Sequence, residues 1–271
     1  MTDVLTHMFT NFMSRADSSK DLKVIPPAPA QCGVLVVGEQ NLGRSVLLLA
    51  AVTAACRLSV KVVFFAQTQI QSLPVSLQKC VPSLSPESLK QIKFCYPRTL
   101  EELLQQVAGL HESTNTFPVP PSLIIVDRLE DFLRGPADES HGVEQSRAAH
   151  LSALLCDTAT FLTGLLEQQT SSPAPCRVIA SYKPKEQSGE FSVSDQVLDT
   201  LDRYFQVRCT LDQDRSYKAA AAGLQEVWHI YFSGTGITLD PCAEDTEVKP
   251  GLAQEWQLSI YPDGFMEFQL V

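Results

Sequence analysis

No run of about 18 consecutive apolar residues occurs in this chain, so no membrane-spanning helix is expected and no membrane partner. The first twenty residues lack the basic start and long apolar stretch of a secretion signal, and none is expected there. Eight cysteines are present (Cys32, Cys56, Cys80, Cys95, Cys156, Cys176, Cys209, Cys242), but no C-x-x-C pair. Their scatter, with three inside apolar runs, predicts reduced, mostly buried thiols of an intracellular protein, with a zinc site as the alternative. No internal repeat is present. Basic residues are scarce: 21 Lys and Arg stand against 31 Asp and Glu, a formal net charge of −10. That balance argues against autonomous nucleic-acid binding. The shortage is greatest at residues 240–271, where seven acids face Lys249 alone, a net of −6. Any DNA contact is expected elsewhere or through a partner.

What is present suits one α/β core. The 271 residues are 44% hydrophobic and 19% charged, enough for one core with a small appendage. Residues 1–30 read as a separate arm and linker. Leu5, Met8, Phe9, Phe12 and Met13 fall at helical spacing and predict a short amphipathic helix. It either packs on its own core or serves as a docking arm, with Leu5, Met8, Phe9 and Phe12 as the partner-facing side chains. The Ser18-Ser19 stretch and Pro26-Pro27-Ala28-Pro29 predict a linker. Residues 31–271 read as the core, with a polar loop at 239–250.

The core opens on a short apolar run between glycines, Val34 to Val37, which predicts a buried parallel strand. Further buried strands are predicted at 60–66, 92–96, 123–127 and 177–182. Helices are predicted at 46–56, from Thr99 with a capping box to Glu102, and over 146–169. After that the pattern turns antiparallel, with strands at 203–211, 227–232, 256–261 and 265–271, the last two joined by the Pro262-Asp263-Gly264 turn.

Between the first strand and its helix lies G-E-Q-N-L-G-R-S: Gly38, Glu39, Gln40, Asn41, Leu42, Gly43, Arg44 and Ser45. This is the phosphate-loop pattern G-x-x-x-x-G-K-[ST] with Arg44 where lysine belongs. Glycines let backbone N–H groups converge on phosphate oxygens, and a Cβ at Gly38 or Gly43 is expected to block that turn. The helix start favours an anion. Ser45 carries the hydroxyl that would ligate Mg²⁺. Asp127, at the end of the L-I-I-V-D strand, is placed to hold the same ion. ATP with Mg²⁺ is the cofactor these residues predict. Arg44 keeps the positive charge but presents a planar fork of different reach from lysine, so weakened nucleotide binding is expected. An ordinary strand-to-helix turn is the plainer reading of the two glycines.

Together with V-V-F-F-A-Q-T-Q-I-Q-S-L-P (62–74), L-K-Q-I-K-F-C-Y-P (89–97), S-L-I-I-V-D-R-L-E-D-F-L (122–133), A-A-H-L-S-A-L-L-C-D-T-A (148–159), L-D-R-Y-F (201–205) and E-W-Q-L-S-I-Y-P-D-G (255–264), the loop resembles the divergent RecA-type recombinase paralogs. Within them it is most similar to the ATPase that accompanies the SWIM-type zinc-finger protein of the vertebrate Shu complex. The resemblance spans nearly all of the chain from Gly33. It implies a RecA-like P-loop core, a parallel sheet flanked by helices with antiparallel strands at the C-terminal end. It also implies a nuclear protein that pairs with the SWIM-type protein, associates with the RecA-type recombinase and its paralogs, and promotes recombinase assembly on single-stranded DNA in homologous recombination repair and meiosis. Weak ATPase activity comes with it; a scaffold acting only through protein contacts is the alternative.

Two departures from the family pattern weaken the enzyme reading. The stretch 64–68, where the family places the glutamate that activates water, offers only Gln67 and Thr68, and Thr68 is a poor proton acceptor. Tyr182 stands where the family carries its γ-phosphate-sensing glutamine. Glu130 or Asp131 could take over only if the backbone curls back; otherwise they begin a solvated helix. Of the two loops that face DNA in such folds, the first (128–145) carries five acids against Arg128 and Arg134. The second (183–193) offers Lys183 and Lys185 as DNA-contact candidates and Phe191 as a base-stacking one. A P-loop kinase is disfavoured, because no arginine-rich lid follows the core.

Overall fold

The computed structural model describes residues 2–12, 33–71, 78, 86–112, 120–134, 141–169, 175–185, 195–215, 224–234 and 255–271. The predicted linker, the loop at 239–250, Phe191 and residues 72–74 lie outside the described residues.

Among the described residues nine strands form one sheet: β1 (Gly33–Val37), β2 (Val62–Phe65), β3 (Ile92–Cys95), β4 (Leu123–Val126), β5 (Arg177–Tyr182), β6 (Val207–Gln213), β7 (Glu226–Ser233), β8 (Glu255–Ile260) and β9 (Met266–Leu270). Their order is β3-β2-β4-β5-β1-β6-β7-β8-β9. Strands β1 to β6 pair in parallel and β6 to β9 antiparallel. The composition explains the split. VVFF and LIIV are apolar throughout and buried throughout, as parallel strands covered on both faces must be. VRCTLDQ and EVWHIYFS alternate, and so does their burial.

The α-helices among the described residues are α1 (Thr2–Asn11), α2 (Gln40–Arg57), α3 (Pro86–Leu89), α4 (Leu100–Ala108), α5 (Leu129–Leu133), α6 (His141–Gln169) and α7 (Gln196–Tyr204). One core lies between the sheet and α1 with α2. The other lies between the sheet and α4 to α7. Thr99 caps α4 as expected, its Oγ1 accepting from the Glu102 N–H at 3.1 Å. Helix α6 has the length and apolar content to cross a bilayer, although no single run in it reaches that length. Its Leu151, Leu155, Leu162 and Leu166 are instead buried on the sheet, the pattern of a core helix. Helix α7 breaks the predicted strand at 203–211. Asp195 caps it by accepting from the Val197 and Leu198 N–H groups, so the strand begins only at Val207.

The amphipathic N-terminal helix packs on its own sheet. Leu5, Met8 and Phe9 have no exposed surface. The Phe9 ring lies 4.8 Å from Phe268, 5.4 Å from Trp256 and 5.9 Å from Phe232. Phe12 is partly buried, and its carbonyl accepts from the Phe268 N–H at 3.0 Å on the outer edge of β9. The docking-arm expectation is corrected here: the four side chains proposed for a partner cover the chain's own antiparallel strands. Among the described residues Cys56, Cys95, Cys156, Cys176 and Cys209 form no disulfide. Burial pushes the Cys95 and Cys209 thiols above their ordinary value.

Candidate nucleotide site

Strand alternation decides which side chains meet at the phosphate loop. Val34 and Val36, Phe64 and Ala66, Leu123 and Ile125, and Ile179 all lie in the core beneath α2. Carrying the two-residue period past the C-terminal strand ends puts Gly38, Thr68, Asp127, Ser181 and Lys183 on that same face, around the start of α2. Tyr182 has the opposite parity. It is buried in the other core and donates from its hydroxyl to Asp195 at 2.8 Å. Burial, and then Asp195, hold its phenol far above the ordinary tyrosine range. The sensor position is therefore turned away from the loop, and its successor Lys183 faces it.

The loop is shorter than its letters suggest. Helix α2 begins at Gln40, so Gln40 to Gly43 are wound into its first turn. The Gly43 N–H donates to the Glu39 carbonyl at 2.9 Å, the first helical bond. Of the phosphate-loop residues, the N–H groups of Gln40, Asn41 and Leu42 are those a first turn leaves without an intrahelical acceptor. The glycines differ in what they need. A Cβ at Gly38 would stand 2.8 Å from the Leu211 carbonyl oxygen, whereas one at Gly43 would make an ordinary 3.7 Å contact with Ser181. The expectation for Gly43 is thus corrected, and Gly38 is required by packing against β6.

Arg44 points from α2 across the strand ends. Its Nε donates to Asp127 Oδ2 at 2.6 Å and its Nη2 to Thr68 Oγ1 at 2.9 Å. Asp127 Oδ1 accepts from Ser181 Oγ at 3.2 Å, and Ser181 Oγ accepts from the Arg128 N–H at 2.8 Å. The Asp127 side chain is wholly buried. Burial pushes its carboxyl above the usual carboxylate range, opposed chiefly by Arg44 and less by Arg128 and Ser181. Ser45 Oγ donates to the Asn41 carbonyl at 2.9 Å, within its own helix. Of the magnesium ligands expected from the sequence, Asp127 is engaged by a guanidinium, whereas Ser45 spends only its hydroxyl hydrogen on backbone and keeps its oxygen lone pairs. In this arrangement the site does not fit Mg²⁺. It does retain cations and amides suited to phosphate oxygens.

Arg128 takes the left-handed conformation (φ 59°), a costly one for a side-chain-bearing residue, of order 1–3 kcal/mol. The bend starts α5 and curls Glu130 inward. Glu130 is 3% exposed, and its Oε2 accepts from the Lys183 N–H at 3.0 Å. The expectation of a solvated helix start is corrected for Glu130. Asp131 pairs with Arg128 and is itself only partly exposed.

Lys183 Nζ lies 3.1 and 3.3 Å from the two oxygens of Glu39, spanning β5 to the loop. The Gly38 N–H, donating to the Tyr182 carbonyl at 3.3 Å, carries the β1–β5 ladder that brings them level. Lys185 Nζ pairs with Glu144 at 2.7 Å. Both DNA-contact candidates thus face acids of the same chain. Reading the sequence did not join Lys183 to Glu39; the parity of β5 was the signal. On the other flank of Glu39, a cavity of about 240 Å³ is lined by Asn41, Ser45, Gln213, Glu226 and Trp228 among others.

No protein-family model matches the sequence. ATPase SWSAP1 of Mus musculus is 31% identical over 239 residues, covering 83% of this chain and 76% of that protein. ATPase SWSAP1 of Homo sapiens is 31% identical over 183 residues, covering 67% and 72%. Among solved structures, the RadB recombinase superposes with a TM-score of 0.53 at 15% identity, over 89% of this chain and 91% of that one. At such identity the likeness carries the fold, which is RecA-like.

Proposed function

The chain belongs to the ATPase SWSAP1 family, and from that premise we propose that it is a recombination accessory factor with at most slow ATP hydrolysis. With a SWIM-domain partner in the nucleus, it promotes or stabilises assembly of the strand-exchange recombinase on single-stranded DNA, in repair and in meiosis. One observation carries the view of slow hydrolysis. The Arg44 guanidinium bridges Asp127 and Thr68, the positions from which the family pattern would hold magnesium and activate water. A carboxylate already satisfied by a bidentate-capable cation is a poor metal ligand, and no carboxylate replaces it at Thr68. The acids opposite Lys183 and Lys185 favour DNA contact through the partner over direct contact by this chain.

A second reading, a RecA-fold scaffold without any nucleotide, is favoured by the closed first turn, in which Gly43 N–H is already bonded to Glu39. Binding and turnover of ATP by the chain with its SWIM-domain partner present separate the two. Arg44→Lys restores a compact ammonium and releases the planar fork from Asp127. On the nucleotide reading this variant binds MgATP at least as tightly as the native chain. If neither native chain nor variant binds, while recombinase assembly is still promoted, the scaffold reading stands instead.

A further inference from the structure

We propose that this site takes the phosphates of a nucleotide without a magnesium ion, on two protein cations: Arg44 in the metal's seat and Lys183 in place of the loop lysine, with Glu39 as the internal anion that the phosphates displace. The inference rests on the nucleotide reading above and deepens it.

The metal's seat is filled from within. Arg44 Nε holds the buried Asp127 carboxylate and Nη2 holds Thr68. Those bonds use two of the five N–H donors of a guanidinium, and the rest remain for a phosphate oxygen. Arg44 is a quarter exposed, enough for a ligand to reach it. A magnesium ion at Asp127 would have to expel this cation and leave it without its buried counter-charge.

The lysine is supplied by another strand. Residue 183 has the parity of Ile179 and Ser181 and therefore emerges on the α2 face, beside Gly38. Its backbone is held by buried Glu130, so the stem is anchored while the ammonium reaches the loop. There it meets both oxygens of Glu39, a residue of the phosphate loop itself. A carboxylate paired with that ammonium at the loop mouth occupies an anion's place. Glu39 is about half exposed and can rotate away at small cost. A phosphate offers more charge and three acceptor oxygens to the same ammonium.

ATP binding by the full chain, measured by titration calorimetry with excess EDTA and with Mg²⁺, tests this. The expected result is a Kd within about two-fold in the two media. Glu39→Gln is expected to tighten binding up to about five-fold, the worth of an exposed ion pair. Lys183→Met is expected to weaken it ten-fold or more and to abolish the gain from Glu39→Gln in the double variant. Lys185→Met, whose partner is Glu144, serves as the control and leaves binding unchanged. Binding more than ten-fold weaker in EDTA overturns the metal-free site. A native-like Kd for Lys183→Met, or a Glu39→Gln gain that survives it, overturns the role of Lys183. Either result leaves the nucleotide reading standing. Absence of binding by the native chain, Glu39→Gln and Arg44→Lys alike overturns that reading and this inference together.

Discussion

At the scale of single residues, the chemistry turns on Arg44 and Asp127. Their ion pair is asymmetric: the carboxylate is fully buried, the guanidinium partly exposed. Removing the cation leaves a buried carboxylate without its counter-charge, which costs about 3 kcal/mol at neutral pH. The sign of the pH dependence follows from the direction of the Asp127 shift. Burial already raises this carboxyl, and Arg44 is the main group opposing the rise. Without Arg44 it rises further. A raised carboxyl contributes stability that is fully present below its unfolded value, about 3.9, and is lost as pH rises through the folded value. Arg44→Met should therefore be nearly as stable as the native chain near pH 4 and fall progressively behind it towards pH 7.5. Urea denaturation across that range reads the gap; a gap independent of pH would mean that Arg44 does not neutralise Asp127.

Secondary-structure elements set a second level of constraint, and α1 is the informative one. An amphipathic helix at a chain end can serve a partner or its own sheet, because its sequence periodicity is the same in both cases. Here the apolar face lies on β7, β8 and β9, with Phe9 among Phe232, Trp256 and Phe268. Phe9→Ala should then cost about 3–5 kcal/mol of stability, seen as a lower urea midpoint of the isolated chain. A docking arm would behave otherwise: stability unchanged and partner co-purification weakened. Helix α5 shows the same lesson on a smaller scale. The apolar and acidic letters of L-E-D-F-L suggested a solvated start, yet the left-handed Arg128 turns Glu130 into the interior. No local pattern signals that bend, since it depends on Ser181 from β5 accepting from the Arg128 N–H.

For the whole molecule, charge decides how DNA is met. The chain carries a net −10, and the two lysines nearest the expected DNA loops are paired with Glu39 and Glu144. A surface that neutralises few phosphates releases few counterions. Single-stranded DNA binding by the chain alone is expected to be weak, with a slope of log K against log salt below about 1 in magnitude. With the partner present the slope should steepen. A steep slope from the chain alone, lost in Lys183→Met with Lys185→Met, would instead assign direct contact to these two lysines.

The amino-acid sequence by itself determined the described strands in chain order, the helices α1, α2, α4 and α6, the RecA-like class and the phosphate-loop residues with Asp127, but not α3, α7 or the places of Ser181 and Lys183 beside α2. What it determined follows from local periodicity, from glycines beside apolar runs and from turn residues, all of which act between near neighbours in the chain. Tertiary structure alone decided what the residues around the start of α2 do to one another. Arg44 meets Asp127 across 83 positions and Lys183 meets Glu39 across 144. Such pairs form because the parallel sheet brings distant strand ends level and strand parity turns their side chains to one face. A one-residue change in register would send Lys183 to the opposite layer and Tyr182 to the loop. The arginine in the phosphate loop reads, from sequence, as a lost lysine; within the fold it is a cation already seated on the aspartate that the metal would have used.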